Sequence, residues 1–342
     1  MSDLAGTTHR KLVLRELGEG FRASVAVEEE PVGEPAPGEV LVRNLFAGVD
    51  GGRDNLLSRD AWGGYPARPP QDLGSEAVGT VVQVGDGVTA LRIGDPVLID
   101  RPGCGYREYA TVAASEALKV DAPRPELLAI VPSGVAASIA LGVCGEMGRD
   151  ETVLVTAAAG AAGHIAVQLA KRAGNRVIGI CGSPKRAGVA RELGCDRAIN
   201  HRDETVRDVL EDEYPRGIDL ILDSVGGGLF DTCVEHLAPR GRIVVLGFAA
   251  DCEPEPETPK QPRIYHRLFW KSASLRGCAI PPHFAEAVPE HRERLLALLD
   301  AGEIRALVDQ SSFVGVESIP DAVEHCALGK ACGKVVVSLA EP

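Results

Sequence analysis

Residues 151–174 read ETVLVTAAAGAAGHIAVQLAKRAG. The run Thr152-Val153-Leu154-Val155-Thr156 has the β-branched character of a buried strand, and a segment of small residues, 157–163, follows it. Ile165, Val167, Leu169 and Ala170 then give one apolar helix face. The order is therefore strand, tight turn, helix. A turn whose backbone N–H groups approach a pyrophosphate must be built of small residues, and the helix N-terminus adds partial positive charge. Ala158, Gly160 and Gly163 occupy the three positions of G-x-G-x-x-G, with alanine at the first, and Ala161 and Ala162 fill the gap before the last. The alternative is a close-packed corner with no ligand.

The surroundings favour the nucleotide reading. Strand patterns follow at 176–181, 196–200, 218–224, 241–248 and 274–280, with helical patterns between them, including 184–193. Six strands in this rhythm predict an α/β fold with a doubly wound parallel sheet, a Rossmann domain. The end of the second strand selects the cofactor. It reads Ile180-Cys181-Gly182-Ser183-Pro184-Lys185-Arg186, with no acid to hold a ribose 2′-hydroxyl. Ser183, Lys185 and Arg186 can donate to a 2′-phosphate, and His201 after the third strand can close the same pocket, so NADPH is expected. A solvated first helical turn is the competing use of Lys185 and Arg186. Ser224 and Val225 after the fourth strand, and Gly247 and Phe248 after the fifth, stand where strand ends face a ligand crevice. Cys278 and Ile280 either flank the nicotinamide or are ordinary sheet-edge residues.

The chain has 342 residues and a formal net charge of −13, which argues against nucleic acid or an anionic membrane surface as partner. Residues 1–17 carry no apolar signal core, and the uncharged segment 127–145 is broken by Pro132, so no membrane span is expected. Nine scattered cysteines without a C-x-x-C pair read as reduced thiols in the cytoplasm. Ahead of the nucleotide unit, strand patterns at 11–17, 40–46, 74–84 and 96–99 suggest a partly closed antiparallel barrel.

Several segments resemble the medium-chain dehydrogenase/reductase superfamily in content and order. They are GSEAVGTVV from Gly74, GDPV from Gly94, YREY from Tyr106, the turn 157–163, DSVGG from Asp223 and GKACGKVV from Gly329. Within it the chain is similar to the zinc-free quinone oxidoreductase and enone reductase branch. The resemblance implies a GroES-like barrel domain, 1–128 with 282–342, and an inserted NADPH-binding domain, 129–281. It also implies a homodimer and a small-molecule enone or quinone substrate. Zinc-dependent members hold their metal through G-x-C-G-x-D and G-H-E, where this chain has Asp50 for cysteine and Ser75 for histidine. A hydroxyl is a poor Zn²⁺ ligand beside imidazole, so no metal is expected and Glu76 becomes a buried, hydrogen-bonded carboxylate.

Without a Lewis acid, hydride transfer is expected to an activated C=C or quinone, whose developing oxyanion needs only a donor. Tyr65, in a G-x-Y-P context, is the expected donor, its alternative being an aromatic that fills the barrel mouth. Asp50 replaces a common Asn and is the second catalytic candidate. Ala136, His201 and Ala331 depart from the Thr, Tyr and Asn that the resemblance leads one to expect. Residues 251–262, acidic and proline-rich, read as a flap. Two other functions stay open: a zinc-dependent alcohol or polyol dehydrogenase, and an NADPH-binding redox sensor without turnover.

Overall fold

The structure, a computed structural model, describes Leu4 and residues 6–63, 66–252 and 263–339. The chain divides into two compact units, Met1–Pro132 with Val308–Pro342, and Ser133–Leu307. The division differs from the expected 282 boundary. The helix Val288–Asp300 belongs with the central unit, where the buried Ser138 hydroxyl meets His291 Nδ1 at 2.7 Å.

In the first unit, β1 (Thr8–Leu14) pairs antiparallel with β2 (Val25–Pro31), and β3 (Glu39–Gly48) forms the spine of a second sheet. β4 (Gln71–Asp72) adds to β1, and β5 (Glu76–Val84) runs antiparallel beside β3. β6 (Pro96–Asp100), β7 (Tyr109–Ala113) and β8 (Ala117–Lys119) extend this antiparallel sheet. The pairing of β3 with β5 shifts register at Leu41/Val42 and again at Asn44/Phe46, and such irregularities let a sheet bend. Asn44, buried within the second irregularity, donates its amide to the carbonyls of Cys104 and Arg107. Val40, Val42, Val81, Val97, Ile99 and Val112 form the core under these strands.

The central unit follows the expected rhythm. β9 (Thr152–Val155), β10 (Arg176–Cys181), β11 (Arg197–Asn200), β12 (Ile218–Asp223), β13 (Leu237–Val245) and β14 (Ser274–Gly277) form one parallel sheet in the order β11-β10-β9-β12-β13-β14. The apolar runs of β9, β10 and β12 are buried on both faces, as the centre of a parallel sheet covered by helices requires. Two ends differ from expectation. β13 stops at Val245, leaving Gly247 and Phe248 in the loop beyond it, and β14 stops at Gly277, so Ile280 opens a short helix instead of ending a strand.

The chain then returns to the first unit. β15 (Phe313–Val314) and β16 (Val336–Ser338) join the edge of the β3 sheet, Val337 opposite Ala47. The helix Ile319–Ala327 packs its Val323 and Cys326 against Gly51, where an added Cβ would lie 2.3 Å from that of Cys326.

Candidate functional site

Doubly wound sheets bind ligands outside the carboxyl ends of their strands, where the strand order reverses. Here that point lies between β9 and β12, because β10 and β11 build away from one side of β9 and β12 to β14 away from the other. The turn 157–163, Ser183 and the loop 224–226 follow the carboxyl ends of β9, β10 and β12.

The turn after β9 starts with Ala157 at φ +47, a left-handed residue without glycine's freedom. Ala158 is fully buried and donates its N–H to Ile180 O on β10. Gly163 admits nothing larger, since an added Cβ would stand 2.2 Å from Ala157 O. Gly160, Ala161 and Ala162 stay partly exposed at the start of the helix Gly163–Arg172. This leaves partly exposed backbone at a helix N-terminus, where an anion is favoured.

At the tip of β10, Ser183 caps the helix Pro184–Glu192. Its hydroxyl accepts from Arg186 N at 3.3 Å and from Arg186 Nε at 3.2 Å. An added Cβ at Gly182 would lie 2.8 Å from His201 Nε2 and 3.0 Å from Arg186 Nη2, so these two side chains converge over it. Lys185 is exposed on the same helical turn. Burial and the neighbouring Arg202 and Arg186 guanidiniums lower the His201 pKa, keeping its ring neutral at pH 7. His201 also lines a cavity of about 350 Å³ together with Thr205, Val206, Val225 and Leu229. A neutral ring beside apolar side chains fits a flat heteroaromatic base.

Asp223, at the end of β12, was not singled out from the sequence as a functional residue. It is fully buried; Thr156 donates to its carboxylate at 2.9 Å, and Val225 N and Gly226 N donate at 3.1 Å each. Thr156 Oγ1 accepts from Ser224 N in turn. Ala249 N and Ala250 N donate to Ser224 O and Val225 O, so the loops carrying Ser224, Val225, Gly247 and Phe248 form one body. Cys278 instead points into the interior, its thiol raised by burial and by the adjacent Cys144 thiol; Ile280 is half-buried.

In the barrel unit, Asp50 is the N-cap of the helix Gly51–Ser58, its Oδ1 accepting from Arg53 N at 3.3 Å. Four residues further on, Asp54 is fully buried and takes a very short hydrogen bond from the Tyr106 hydroxyl. Burial pushes the Asp54 carboxyl up to about 6, against the pull of the Arg53 guanidinium 3.7 Å away. Glu76 is buried as expected, but its partner is one the sequence reading did not see. Lys334 Nζ lies 2.9 Å from Oε1, hydrogen-bonded, and 2.7 Å from Oε2 in ionic contact. Burial pushes Glu76 up to about 7 while Lys334 pulls it down. Burial alone lowers Lys334, but the Glu76 and Asp50 carboxylates outweigh it and raise its pKa. The only cue was a lysine in the GKVVV run. Tyr65 lies outside the described residues, as do 253–262 of the expected flap.

These residues do not fit a zinc ion. One oxygen of Asp50 is committed to capping, Ser75 offers a hydroxyl, and an ammonium already neutralises Glu76 where a second cation would be repelled. Among the described residues there is no cluster of three or more His, Cys, Asp or Glu side chains suited to a metal.

Comparison with known proteins matches the zinc-binding dehydrogenase family over residues 161–297 and the alcohol dehydrogenase GroES-like domain over 36–161. Prostaglandin reductase-3 of Mus musculus is 39% identical, across 98% of this chain and 90% of its own length. A probable quinone oxidoreductase of Leishmania amazonensis is 36% identical, over 96% and 98% respectively. Among solved structures, CurA from Vibrio vulnificus in complex with NADPH superposes with a TM-score of 0.85 at 25% identity, across 97% of this chain and all of that one. The chain belongs to the medium-chain dehydrogenase/reductase superfamily, among its quinone oxidoreductases and prostaglandin reductases.

Proposed function

We propose that the protein is an NADPH-dependent reductase that passes hydride to an activated C=C bond or a quinone without using a metal. The observation that carries this reading is the buried Glu76–Lys334 pair, in which a protein cation already compensates the carboxylate that a metal would otherwise meet. NADPH, when bound, supplies the hydride. The chain's residues do the rest. The amides of Ala161 and Ala162 receive the pyrophosphate, Gly160 N being held by Ala157 O at 2.7 Å, while Ser183 and Arg186 receive the 2′-phosphate and the cavity beside His201 and Val225 the adenine. Arg186 meets a phosphate with a charge-assisted, geometrically specific contact, and no acid opposes it at the tip of β10. In the barrel unit Asp50, fixed as a cap, positions the reacting end of the substrate, and Tyr65 donates a hydrogen bond to the oxyanion as it develops.

The test is NADPH oxidation by purified, EDTA-treated protein with an enone, a quinone and an aldehyde, NADH run alongside. Consumption with the enone or quinone, unaffected by chelator, is expected; loss of activity with EDTA would sink the metal-free reading.

A homodimer in the cytoplasm completes this reading. β14 is an edge strand with Leu275 exposed, and the adjacent helix Tyr265–Lys271 exposes Tyr265, Phe269 and Trp270. A second copy pairing along this edge covers the apolar side chains. A monomeric mass in solution scattering would remove it. All nine cysteines are free thiols, which suits a reducing compartment.

A further inference from the structure

His164 has no part in the chemistry above, yet it is fully buried at the first turn of the helix that receives the pyrophosphate. Its Nε2 accepts the Leu307 amide at 3.0 Å, so the ring proton sits on Nδ1, which donates to Gly160 O at 2.9 Å. One turn on, Gln168 repeats the pattern. Its Nε2 donates to His164 O and Arg305 O, and its Oε1 accepts from Arg305 N at 2.7 Å. Leu307 is the last residue of the central unit, where the chain leaves for the barrel unit. One imidazole therefore joins the carbonyl of the pyrophosphate turn to the amide at the crossing point.

We propose that His164 is a positioning residue that couples occupancy of the pyrophosphate turn to the order of the crossing segment 305–307. The physical basis is that a neutral imidazole has one donor and one acceptor, both used here, one on the turn and one on the crossing segment. Fixing the turn around an anion fixes the Gly160 carbonyl, hence the ring, hence the Leu307 amide. Coupling of this kind is reciprocal: the factor by which NADPH orders Leu307 is the factor by which an ordered Leu307 tightens NADPH. A ring that only filled space would stabilise the protein equally with and without cofactor.

The inference rests on NADPH binding at this turn. It is tested by amide hydrogen exchange at 305–307, with and without NADPH, alongside NADPH titration by fluorescence. In the unaltered protein NADPH is expected to slow exchange at Leu307. His164→Leu, which keeps bulk but loses both bonds, should weaken NADPH roughly tenfold and abolish that slowing. His164→Gln, which can donate and accept, should restore much of both. Leu307→Pro deletes the amide at the other side of the ring, outside the turn itself, and should weaken NADPH by a similar factor, which keeps the test open if the leucine variant does not fold. Normal NADPH binding with unchanged exchange at Leu307 overturns the coupling alone. Absence of NADPH binding to the unaltered protein overturns the cofactor reading beneath it.

Discussion

The pyrophosphate turn after β9 and the polar interior of the barrel unit are assembled from opposite materials. The turn is backbone: Ala157, Ala158, Gly160 and Gly163 contribute by having little or no side chain, and their partners lie within a few residues or on the adjacent strand. The barrel interior is side chain: Glu76 and Lys334 are 258 positions apart, and Asp54 meets Tyr106 across 52. A site of the first kind fails when volume is added, and one of the second kind fails when a charge loses its partner.

The largest effect should therefore come from halving the ion pair. Lys334→Met leaves Glu76 buried without its cation and is expected to cost about 3–5 kcal/mol in denaturant unfolding. Adding Glu76→Gln to it should recover most of that loss; failure to recover would mean that Lys334 does more than neutralise Glu76. Next comes volume. Gly163→Ala forces a methyl to within 2.2 Å of Ala157 O, and a shift of the turn should cost roughly 1–3 kcal/mol and weaken NADPH in a fluorescence titration. If the variant binds NADPH normally, the turn is not as rigid as its backbone contacts imply.

Arg186→Gln probes a cofactor contact made by a side chain. It should weaken NADPH about tenfold, some 1.4 kcal/mol, and leave NADH unchanged; equal loss for both cofactors would assign Arg186 to the fold instead.

The smallest effect concerns pH. Asp54 has a folded-state pKa of about 6, above its ordinary value, so the fold favours its protonated form. Its contribution is full below pH about 4 and is lost as pH rises through about 6. Asp54→Asn keeps an acceptor for Tyr106 and removes the charge, so melting temperature should depend less on pH across that window. An unchanged pH profile would place the titration elsewhere.

What could be read from the sequence follows the same division. The strand–turn–helix at 151–174 and the six-strand rhythm of the parallel sheet depend on local pattern, and they stand in the structure close to where the pattern put them. The short strands of the barrel were less legible. β2 carries VAVEEEP and pairs with β1 over its full length, although its acidic half resembles a loop. Lys334 was missed because nothing near it in the chain announces a buried carboxylate; only the fold brings it to Glu76. Asp50 stood out as a catalytic candidate, but its role as a helix cap depends on a helix at 51–58 whose glycines conceal it.

The pairing of Glu76 with Lys334 also sets an order of events when the chain is made. Residues 133–307 emerge before Lys334 does, so the parallel sheet can be complete while the barrel still lacks β16 and the cation for its buried glutamate. A barrel closed at that stage would hold an uncompensated acid. The segment carrying Lys334 and β16 therefore acts as the closing stitch of strands made long before it, and a ribosome that stalls just short of it leaves those strands waiting after the parallel sheet is finished.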